Sequence, residues 1–533
     1  MKSLYLLIVI LYFPLMISKS IAQSGFQRKM SYDKYIYDIN DLEFSNENFN
    51  ILYRYRECFT SQNEFECQSI GIVQLDSTYN ISRIVKLFSS NPDTNIRGSK
   101  LSSLNSAEFI VAGCVFNQSY QPRAVVIKLD SLFYPTASKV FSFPGDSQFE
   151  LMQIDSNSNI YLVTKRDTST NSLFETTTIC KLDSNLNLIW SKEYSTIYGP
   201  IIRDFRVTKN ENIIAVGHYT DTAISKYVGI VSKLDATGGV LWTYSYNTDD
   251  NYNSSFWSMV ENDGNIYCYG YLYDSVFAVT RPSLLKLDSL GNLVWCKSYS
   301  GIFGSFLSMI QTSDNGFLLS SHYIYGTGVA CLIKVDSSGI IEWSKYYTNF
   351  SRNLNNIEGH SKGYFMTGID ITPGTFYDLY DLYFTRCDTF GNSGCDEYSF
   401  NVVSRNNTDV YRRNIPLNST SSSANVSQIM TTSTTYMLQD SFVCSLTTTN
   451  KFDSERILNI YPNPSNGFIQ IISNTVEQFD FKIYSLMGAK VGEFHSPGGD
   501  YLVKLSLPNG LYIYSIESSS SGQFQCGKLS IIN

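Results

Sequence analysis

Residue types that commonly carry chemistry are sparse in this chain and do not fall into catalytic spacings. The four histidines are His218, His322, His360 and His495, and none has the spacing or the neighbouring cysteine pair typical of metal ligands. No glycine-rich phosphate loop and no Gly-x-Ser-x-Gly motif occurs. The sequence therefore identifies no catalytic residue, no cofactor-binding residue and no metal ligand, and it favours a protein that is not an enzyme.

Acidic residues are abundant, but the sequence alone pairs none of them. A glycosidase needs two carboxyl groups roughly 5–9 Å apart. The charged group Arg203, Asp204 and Arg206 departs from the repeat described below, and so does a short spacing of 48 residues between Asp288 and Asp336. A cluster of charged side chains that does not recur from repeat to repeat would favour an enzyme. Exposed tyrosines would favour sugar binding by stacking, and the candidates are Tyr323, Tyr325, Tyr377 and Tyr380.

The elements that must position these residues form an internal repeat. A tripeptide of Lys or Gln, then Leu or Val, then Asp places its aspartate at 76, 130, 183, 235, 288 and 336, and Arg386-Cys387-Asp388 is a diverged copy. Residues 305–347 contain four short strand-like runs separated by turn residues. Residues 23–396 are therefore predicted to form a seven-bladed β-propeller.

The repeated aspartate and a tryptophan seven residues later have predicted structural roles. The aspartate of Asp235-Ala-Thr-Gly238 would accept backbone hydrogen bonds, and the glycine would adopt the left-handed conformation that closes the turn. We expect Trp190, Trp242, Trp295 and Trp343 to pack between neighbouring blades. Residues 233–242 resemble the docking repeat of pyrroloquinoline quinone propellers, but the adjacent cysteine pair of those dehydrogenases is absent. The resemblance thus supports the fold and not the cofactor.

The two ends of the propeller are predicted to close its ring. The seventh unit runs into residues 391–395 where its outer strand is due, while Phe26–Tyr32 resembles such a strand. The N-terminal strand would then complete the last blade, which removes exposed strand edges.

The N-terminus and the composition indicate an exported protein. A positive start, an apolar run from Leu4 to Ile17 and Ser20-Ile21-Ala22 predict a signal peptide over residues 1–22. No further segment is long and apolar enough for a transmembrane helix in the mature chain. The net charge of −8 and the lack of a basic cluster argue against nucleic acid as a partner.

Eleven cysteines in an exported protein permit disulfides without predicting a dense framework. Cys58 with Cys67 is the first candidate pair and Cys395 with Cys444 the second. Cys180, Cys268 and Cys331 lie within apolar strand patterns and are predicted to be buried thiols.

The last part of the chain departs from the repeat. Residues 397–450 are predicted to be a Ser/Thr-rich linker with added strands, and residues 451–533 a small Ig-like β-sandwich. The C-terminal region contains Tyr-Pro-Asn-Pro-x-x-Gly, Ile-Tyr-x-x-x-Gly, Leu-x-x-Gly-x-Tyr and a closing Lys-Leu-x-Ile in this order. The motif positions are Tyr461, Pro462, Asn463, Pro464, Gly467, Gly488, Gly510, Tyr512 and Lys528.

This series of motifs resembles the C-terminal sorting domain of the type IX secretion system. The resemblance implies passage through an outer-membrane translocon, contact with the type IX machinery and delivery to the cell surface or the medium of a bacterium. In that family the domain is commonly removed after passage.

These observations favour an exported, surface-attached propeller of the non-catalytic binding type, with a polysaccharide or a protein as its ligand. The alternative is a secreted glycan-active hydrolase or lyase whose acidic residues meet at the mouth of the propeller channel. The sequence does not identify the ligand.

Overall fold

The computed structural model describes residues 25–531 apart from short gaps. The gaps are 32–34, 57–67, 78–79, 90–93, 117–120, 144–145, 168–175, 197–198, 222, 277, 304–307, 324–329, 348–352, 361–362, 373–378, 395–396, 430, 436–438, 447–457, 462–467, 474–477, 486–489, 497–500 and 519–523. The predicted signal peptide, Cys58, Cys67 and Cys395 lie outside the described residues, and so do the side chains of Cys444 and the four candidate tyrosines. The chain divides into two compact units, Met1–Thr448 and Thr449–Asn533.

The first unit is all-β, which confirms the predicted fold class of an all-β propeller. Over the described ranges, consecutive strands pair into seven antiparallel groups, which we call blades 1 to 7. The first and seventh groups share one ten-stranded sheet through the pair Ile36–Tyr380. Strand β1 (Gly25–Ser31) precedes them. Blade 1 has β2 (Tyr35–Ser45), β3 (Asn48–Arg56), β4 (Gln68–Leu75) and β5 (Ile81–Ser89); blade 2 has β6 (Asn95–Asn105), β7 (Glu108–Phe116), β8 (Arg123–Asp130) and β9 (Pro135–Ser142); blade 3 has β10 (Asp146–Ile154), β11 (Ile160–Asp167), β12 (Thr177–Leu182) and β13 (Leu188–Ser195).

The remaining blades follow the same order, from the innermost strand outward. Blade 4 has β14 (Pro200–Val207), β15 (Ile213–Asp221), β16 (Lys226–Leu234) and β17 (Val240–Asn247); blade 5 has β18 (Ser255–Asn262), β19 (Asn265–Asp274), β20 (Val279–Leu287) and β21 (Leu293–Ser300); blade 6 has β22 (Ile302–Phe303) and β23 (Met309–Gln311) as its split inner strand, then β24 (Phe317–Tyr323), β25 (Ala330–Val335) and β26 (Ile341–Tyr347); blade 7 has β27 (Asn353–His360), β28 (Gly363–Thr372) and β29 (Leu379–Cys387). Strand β1 is the fourth strand of blade 7, because Phe26–Met30 pairs with β29.

Residues 397–446, which we call the belt, add a fifth strand to every blade of the described unit. The belt visits blades 6, 5, 4, 3, 2 and 1 in that order and ends in blade 7, where its last strand pairs with β1. Each belt strand covers the hydrogen-bonding edge of an outer strand, which would otherwise be open to other chains. The strands are β30 (Glu397–Ser399), β31 (Val403–Asn406), β32 (Tyr411–Asn414), β33 (Asn418–Ser421), β34 (Asn425–Gln428), β35 (Thr431–Thr435) and β36 (Gln439–Leu446).

The repeated aspartates close the turns before the outer strands as the sequence predicts. The Asp235 carboxylate accepts hydrogen bonds from the N–H groups of Thr237 and Gly239, both at 2.8 Å. Gly238 has a φ of +76°, a conformation that a residue with a Cβ atom rarely adopts. The same contacts recur around Asp288 and Asp336.

Neighbouring blades are joined at these turns by the predicted tryptophans and by tyrosines that the sequence analysis missed. A Cβ atom on Gly291 of blade 5 would lie 3.1 Å from the Trp242 ring of blade 4. The Tyr246 hydroxyl donates a hydrogen bond to the Gly291 carbonyl at 2.6 Å. Equivalent tyrosine-to-glycine bonds at the other turns are Tyr194 to Gly238, Tyr299 to Gly339 and Tyr347 to Gly391. The repeat therefore encodes contacts between blades as well as the turn itself.

The second unit consists of two small antiparallel sheets around one apolar core. One sheet orders its strands β37-β38-β41 and the other β40-β39-β42-β43. Ile469, Phe481 and Leu529 are fully buried in the core. The strands are β37 (Leu458–Tyr461), β38 (Phe468–Ser473), β39 (Phe479–Ser485), β40 (Lys490–Ser496), β41 (Tyr501–Lys504), β42 (Gly510–Ser518) and β43 (Phe524–Ile531).

Candidate site in the central cavity

The innermost strands of all seven blades line a central cavity of about 320 Å³. Its volume lies near the lower end of the range for ligand pockets, roughly 300–1,000 Å³. Residues from β2, β6, β10, β14, β18, β23 and β27 face it, together with Ser308 just before β23. Because every blade contributes residues to this cavity, sequence differences between the blades determine which ligand the cavity can bind.

A β-bulge in six of the inner strands sets which side chains reach the cavity. The register shift leaves one residue unpaired and turns the following side chain inward. The opposing strand approaches so closely that a Cβ atom at Gly113 would lie 1.9 Å from the Arg97 carbonyl oxygen, and Gly217 faces Ile201 in the same way. The unpaired residues are Asn40, Ser99, Glu150, Arg203, Trp257 and Asn355. The residues after them, all at the cavity, are Asp41, Lys100, Leu151, Asp204, Ser258 and Asn356.

Charged residues in the cavity do not recur from blade to blade. They come from blades 1, 2, 4 and 7, whereas blades 3, 5 and 6 contribute neutral residues. The charged departure Arg203, Asp204 and Arg206 noted in the sequence lies here. The sequence analysis missed the other charged members, which are Asp41, Glu43, Lys100 and Glu358.

The two aspartates of the cavity lining form hydrogen bonds with the next blade. Asp41 accepts hydrogen bonds from the Lys100 ammonium at 2.8 Å and from the Leu101 N–H at 2.9 Å. Asp204 accepts a hydrogen bond from the Met259 N–H at 2.9 Å and forms an ion pair with Arg206 at 2.6 Å. Both carboxylates therefore join inner strands, and each neutralises one cation.

The two glutamates differ from the aspartates because burial favours their protonated form. Burial raises the pKa of Glu43 to about 7, aided by the nearby Asp41 charge and opposed by a hydrogen bond from the Ser103 N–H at 2.9 Å. Burial also raises the pKa of Glu358 to about 8, and the charges of Glu43 and Asp41 add to this effect. Below neutral pH both glutamates of the cavity therefore favour their protonated forms.

Lys100 stays charged in this environment. Burial disfavours its ammonium form, but the charge and hydrogen bond of Asp41 outweigh burial and raise the pKa of Lys100 above its ordinary value. The Arg203 guanidinium lies over the Trp257 ring at 4.5 Å from its centroid, a cation–π contact between blades 4 and 5.

The shifted glutamates predict a loss of stability with rising pH. The Glu358 carboxyl ionises near 4.5 in an unfolded chain and near 8 in the folded protein, so unfolding releases a proton between these pH values. The protonated Glu358 carboxyl contributes stability that is fully present below pH 4.5 and is lost as the pH rises towards 8. Over this range the free energy of unfolding falls by about 1.4 kcal/mol per pH unit for each such group. We expect the free energy of unfolding of Glu358→Gln to fall less between pH 6 and 8 than that of the native chain, by on the order of 2 kcal/mol.

Urea unfolding at several pH values measures this difference. Glu47→Gln is the matched control, because Glu47 is exposed in the β2–β3 hairpin of blade 1. If the free energy of unfolding had the same pH dependence in Glu358→Gln and in the native chain, the raised pKa of Glu358 would be contradicted.

Three of the cysteines singled out in the sequence lie within the described part of the first unit. Cys180, Cys268 and Cys331 are free and buried, as predicted. Within the second unit, Gly510 begins β42, and the Tyr512 hydroxyl donates a hydrogen bond to the Pro508 carbonyl at 2.9 Å. The backbone of Tyr461 and Lys528 lies in β37 and β43, whereas the other sorting-motif positions, Pro462, Asn463, Pro464, Gly467 and Gly488, fall outside the described residues.

No metal site or membrane helix is found in the part of the chain that the structure describes. No group of three or more His, Cys, Asp or Glu side chains there is arranged to hold a metal ion. No helix in this part has the length and apolar character needed to cross a bilayer.

Comparison with protein families identifies the second unit. Residues 459–531 match the model of the secretion system C-terminal sorting domain. The sorting domain predicted from the motifs is thus confirmed, and the protein is a β-propeller followed by a type IX sorting domain. The domain implies handling by the type IX machinery, secretion and a location at the cell surface.

Comparison with solved structures returns distant similarities. The chain is similar to PorZ, an essential bacterial surface component of the type IX secretion system of Porphyromonas gingivalis, at 10% identity and a TM-score of 0.38, over 93% of this chain and 59% of that chain. It therefore spans less than two thirds of the length of PorZ. It is also similar to the β-propeller domain of the Trilobed protease from Pyrococcus furiosus, at 12% identity and a TM-score of 0.39, over 68% of this chain and 98% of that chain. No curated protein matches the chain.

Proposed function

We propose that this protein is an exported, surface-attached propeller that binds a polysaccharide in its central cavity without cleaving it. The observation that carries this proposal is the cavity itself, which is lined by all seven blades with a set of charged residues that does not repeat. A position that serves only the structure of a repeat protein is expected to have a similar residue in every repeat. Binding of a ligand therefore best explains why the charged residues of the cavity differ from blade to blade.

The cavity lining suits a glycan better than an apolar ligand. Gln153 and Asn356 offer amide groups that match sugar hydroxyls, and charged groups surround them. Asp41, Glu43 and Asp204 are held by backbone N–H groups of neighbouring strands. Fixed polar groups of this kind lose little conformational freedom when a ligand binds.

The route by which the protein is delivered also fits a ligand outside the cell. The predicted signal peptide over residues 1–22 would supply the first export step, and the sorting domain at 459–531 the second. A propeller carried in this way would meet glycans outside the cell.

A secreted glycan hydrolase or lyase is the second candidate, and the raised pKa values of the two glutamates favour it. A carboxyl group that keeps its proton near neutral pH can act as a general acid, and the pKa values of Glu43 and Glu358 are raised to about 7 and about 8. Against this candidate, the Glu43 carboxyl already accepts a hydrogen bond from the Ser103 N–H.

One assay separates the two candidates. The full chain would be mixed with a panel of soluble and insoluble polysaccharides, and bound protein and newly released sugar ends would be measured in the same tubes. We expect saturable binding without new ends. Released ends would contradict the binding proposal and support the enzyme, and the absence of both signals would contradict both candidates.

A further inference from the structure

Arg203 is the cation of the cavity that has no acidic partner among the described residues. Lys100 and Arg206 are paired with Asp41 and Asp204 at 2.8 and 2.6 Å, and no described ion pair includes Arg203. The Arg203 Nε atom is buried without a hydrogen-bond partner in that part of the chain. A guanidinium in this state still has donors to offer to a ligand.

The position of Arg203 is held by the fold rather than by an ion pair. Arg203 is the unpaired bulge residue of β14, and Trp257 is the equivalent bulge residue of β18. Their contact, 4.5 Å from the guanidinium carbon to the ring centroid, holds the guanidinium against the indole ring. A planar guanidinium with free N–H groups matches a carboxylate, with which it can form two parallel hydrogen bonds.

The charges around Arg203 favour an anion at this place. Asp41 and Asp204 are neutralised by their partners, Lys100 and Arg206. Glu43 and Glu358 favour their protonated forms because burial raises the pKa of each. Below neutral pH the cavity thus has one positive charge in excess, carried by Arg203.

We propose that the cavity selects an acidic polysaccharide and that Arg203 pairs with the carboxylate of a uronic acid residue. This inference rests on the proposed binding function and names the substrate class of the same site. The neutral amide groups of Gln153 and Asn356 would then meet the sugar hydroxyls. A single unpaired cation matches the single charge of one sugar carboxylate.

The test compares ligands that differ only in the carboxylate. Binding of the full chain to polygalacturonate at pH 6 would be compared with binding to the same polymer after reduction of its carboxyl groups to alcohols. Dextran sulfate serves as an anionic polymer without carboxylates. We expect binding to polygalacturonate to be at least about tenfold tighter than to the reduced polymer, since one charge-assisted bidentate pair is lost.

Variants of Arg203 test the same pair from the protein side. We expect Arg203→Gln to weaken binding of polygalacturonate about tenfold and to leave binding of the reduced polymer unchanged. Arg203→Lys retains the charge without the planar fork and should bind at an intermediate strength. Lys209→Gln is the control, because Lys209 is exposed in the same blade, on the turn that follows β14.

The outcomes separate this inference from the proposed function. Equal binding of native and reduced polymer would overturn the role of the carboxylate while leaving glycan binding intact, and so would stronger binding of dextran sulfate. Binding to none of the polymers would overturn both. The ligand comparison uses the native chain, so it decides the matter even where Arg203→Gln fails to fold.

Discussion

Deletion of residues 459–531 is expected to abolish delivery of the protein to the cell surface. These residues match the secretion system sorting domain and form a separate compact unit from Thr449 onward. The belt ends at Leu446, within the first unit, so the deletion leaves every described strand pair of the propeller in place. We therefore expect a folded propeller that accumulates inside the cell envelope.

The measurement is the fraction of protein accessible to antibody on intact cells of a bacterium with a type IX system. Lys490→Gln is the matched control within the sorting domain, because it breaks only an exposed ion pair with Glu493. Equal surface levels of the truncated and native chains would contradict the assignment of residues 459–531 as the sorting signal.

Local chemistry explains why much of the propeller could be predicted from the sequence. The turn around Asp235 depends on contacts between residues at most four positions apart, so its residues appear together in the sequence. The tyrosines that join the blades also recur at a constant spacing, since Tyr246 and Tyr299 each lie eleven residues after a repeat aspartate. Their partner glycines lie in the next blade, and only the fold shows that pairing.

The bounds and the pairing of the belt strands could not be predicted from sequence patterns. Strand β34 (Asn425–Gln428) is exposed at all four residues, so no apolar alternation marks it as a strand. Its pairing with β9, far back in the chain, depends on backbone hydrogen bonds that every residue type except proline can form. The order in which the belt visits the blades is likewise a property of the ring and not of its own residues.

The candidate site could be predicted only in part for a related reason. Arg203, Asp204 and Arg206 were visible as a departure from the repeat, but their companions lie on other blades. Lys100 and Asp204 precede the repeat aspartates at 130 and 235 by 30 and 31 residues, a correspondence that offered a signal. The bulges shift the alternation of inward and outward residues by one, so sequence alternation alone does not show which of them face the cavity.

Filling the central cavity is expected to abolish glycan binding without unfolding the propeller. Gln153 faces the cavity from β10, and its side chain makes no hydrogen bond or ion pair with other described residues. A tryptophan at this position would place an indole in a cavity of about 320 Å³. Because the side chain would occupy the space of a sugar, binding should be lost for neutral and acidic polymers alike.

The most direct test of the account is the affinity of Gln153→Trp for the polysaccharide that the native chain binds best. Lys209→Trp, which places the same side chain on an exposed turn outside this cavity, is the control, and thermal unfolding checks that both variants are folded. The account predicts that Gln153→Trp loses binding while Lys209→Trp retains it. Native affinity in a folded Gln153→Trp protein would contradict a binding site in the central cavity.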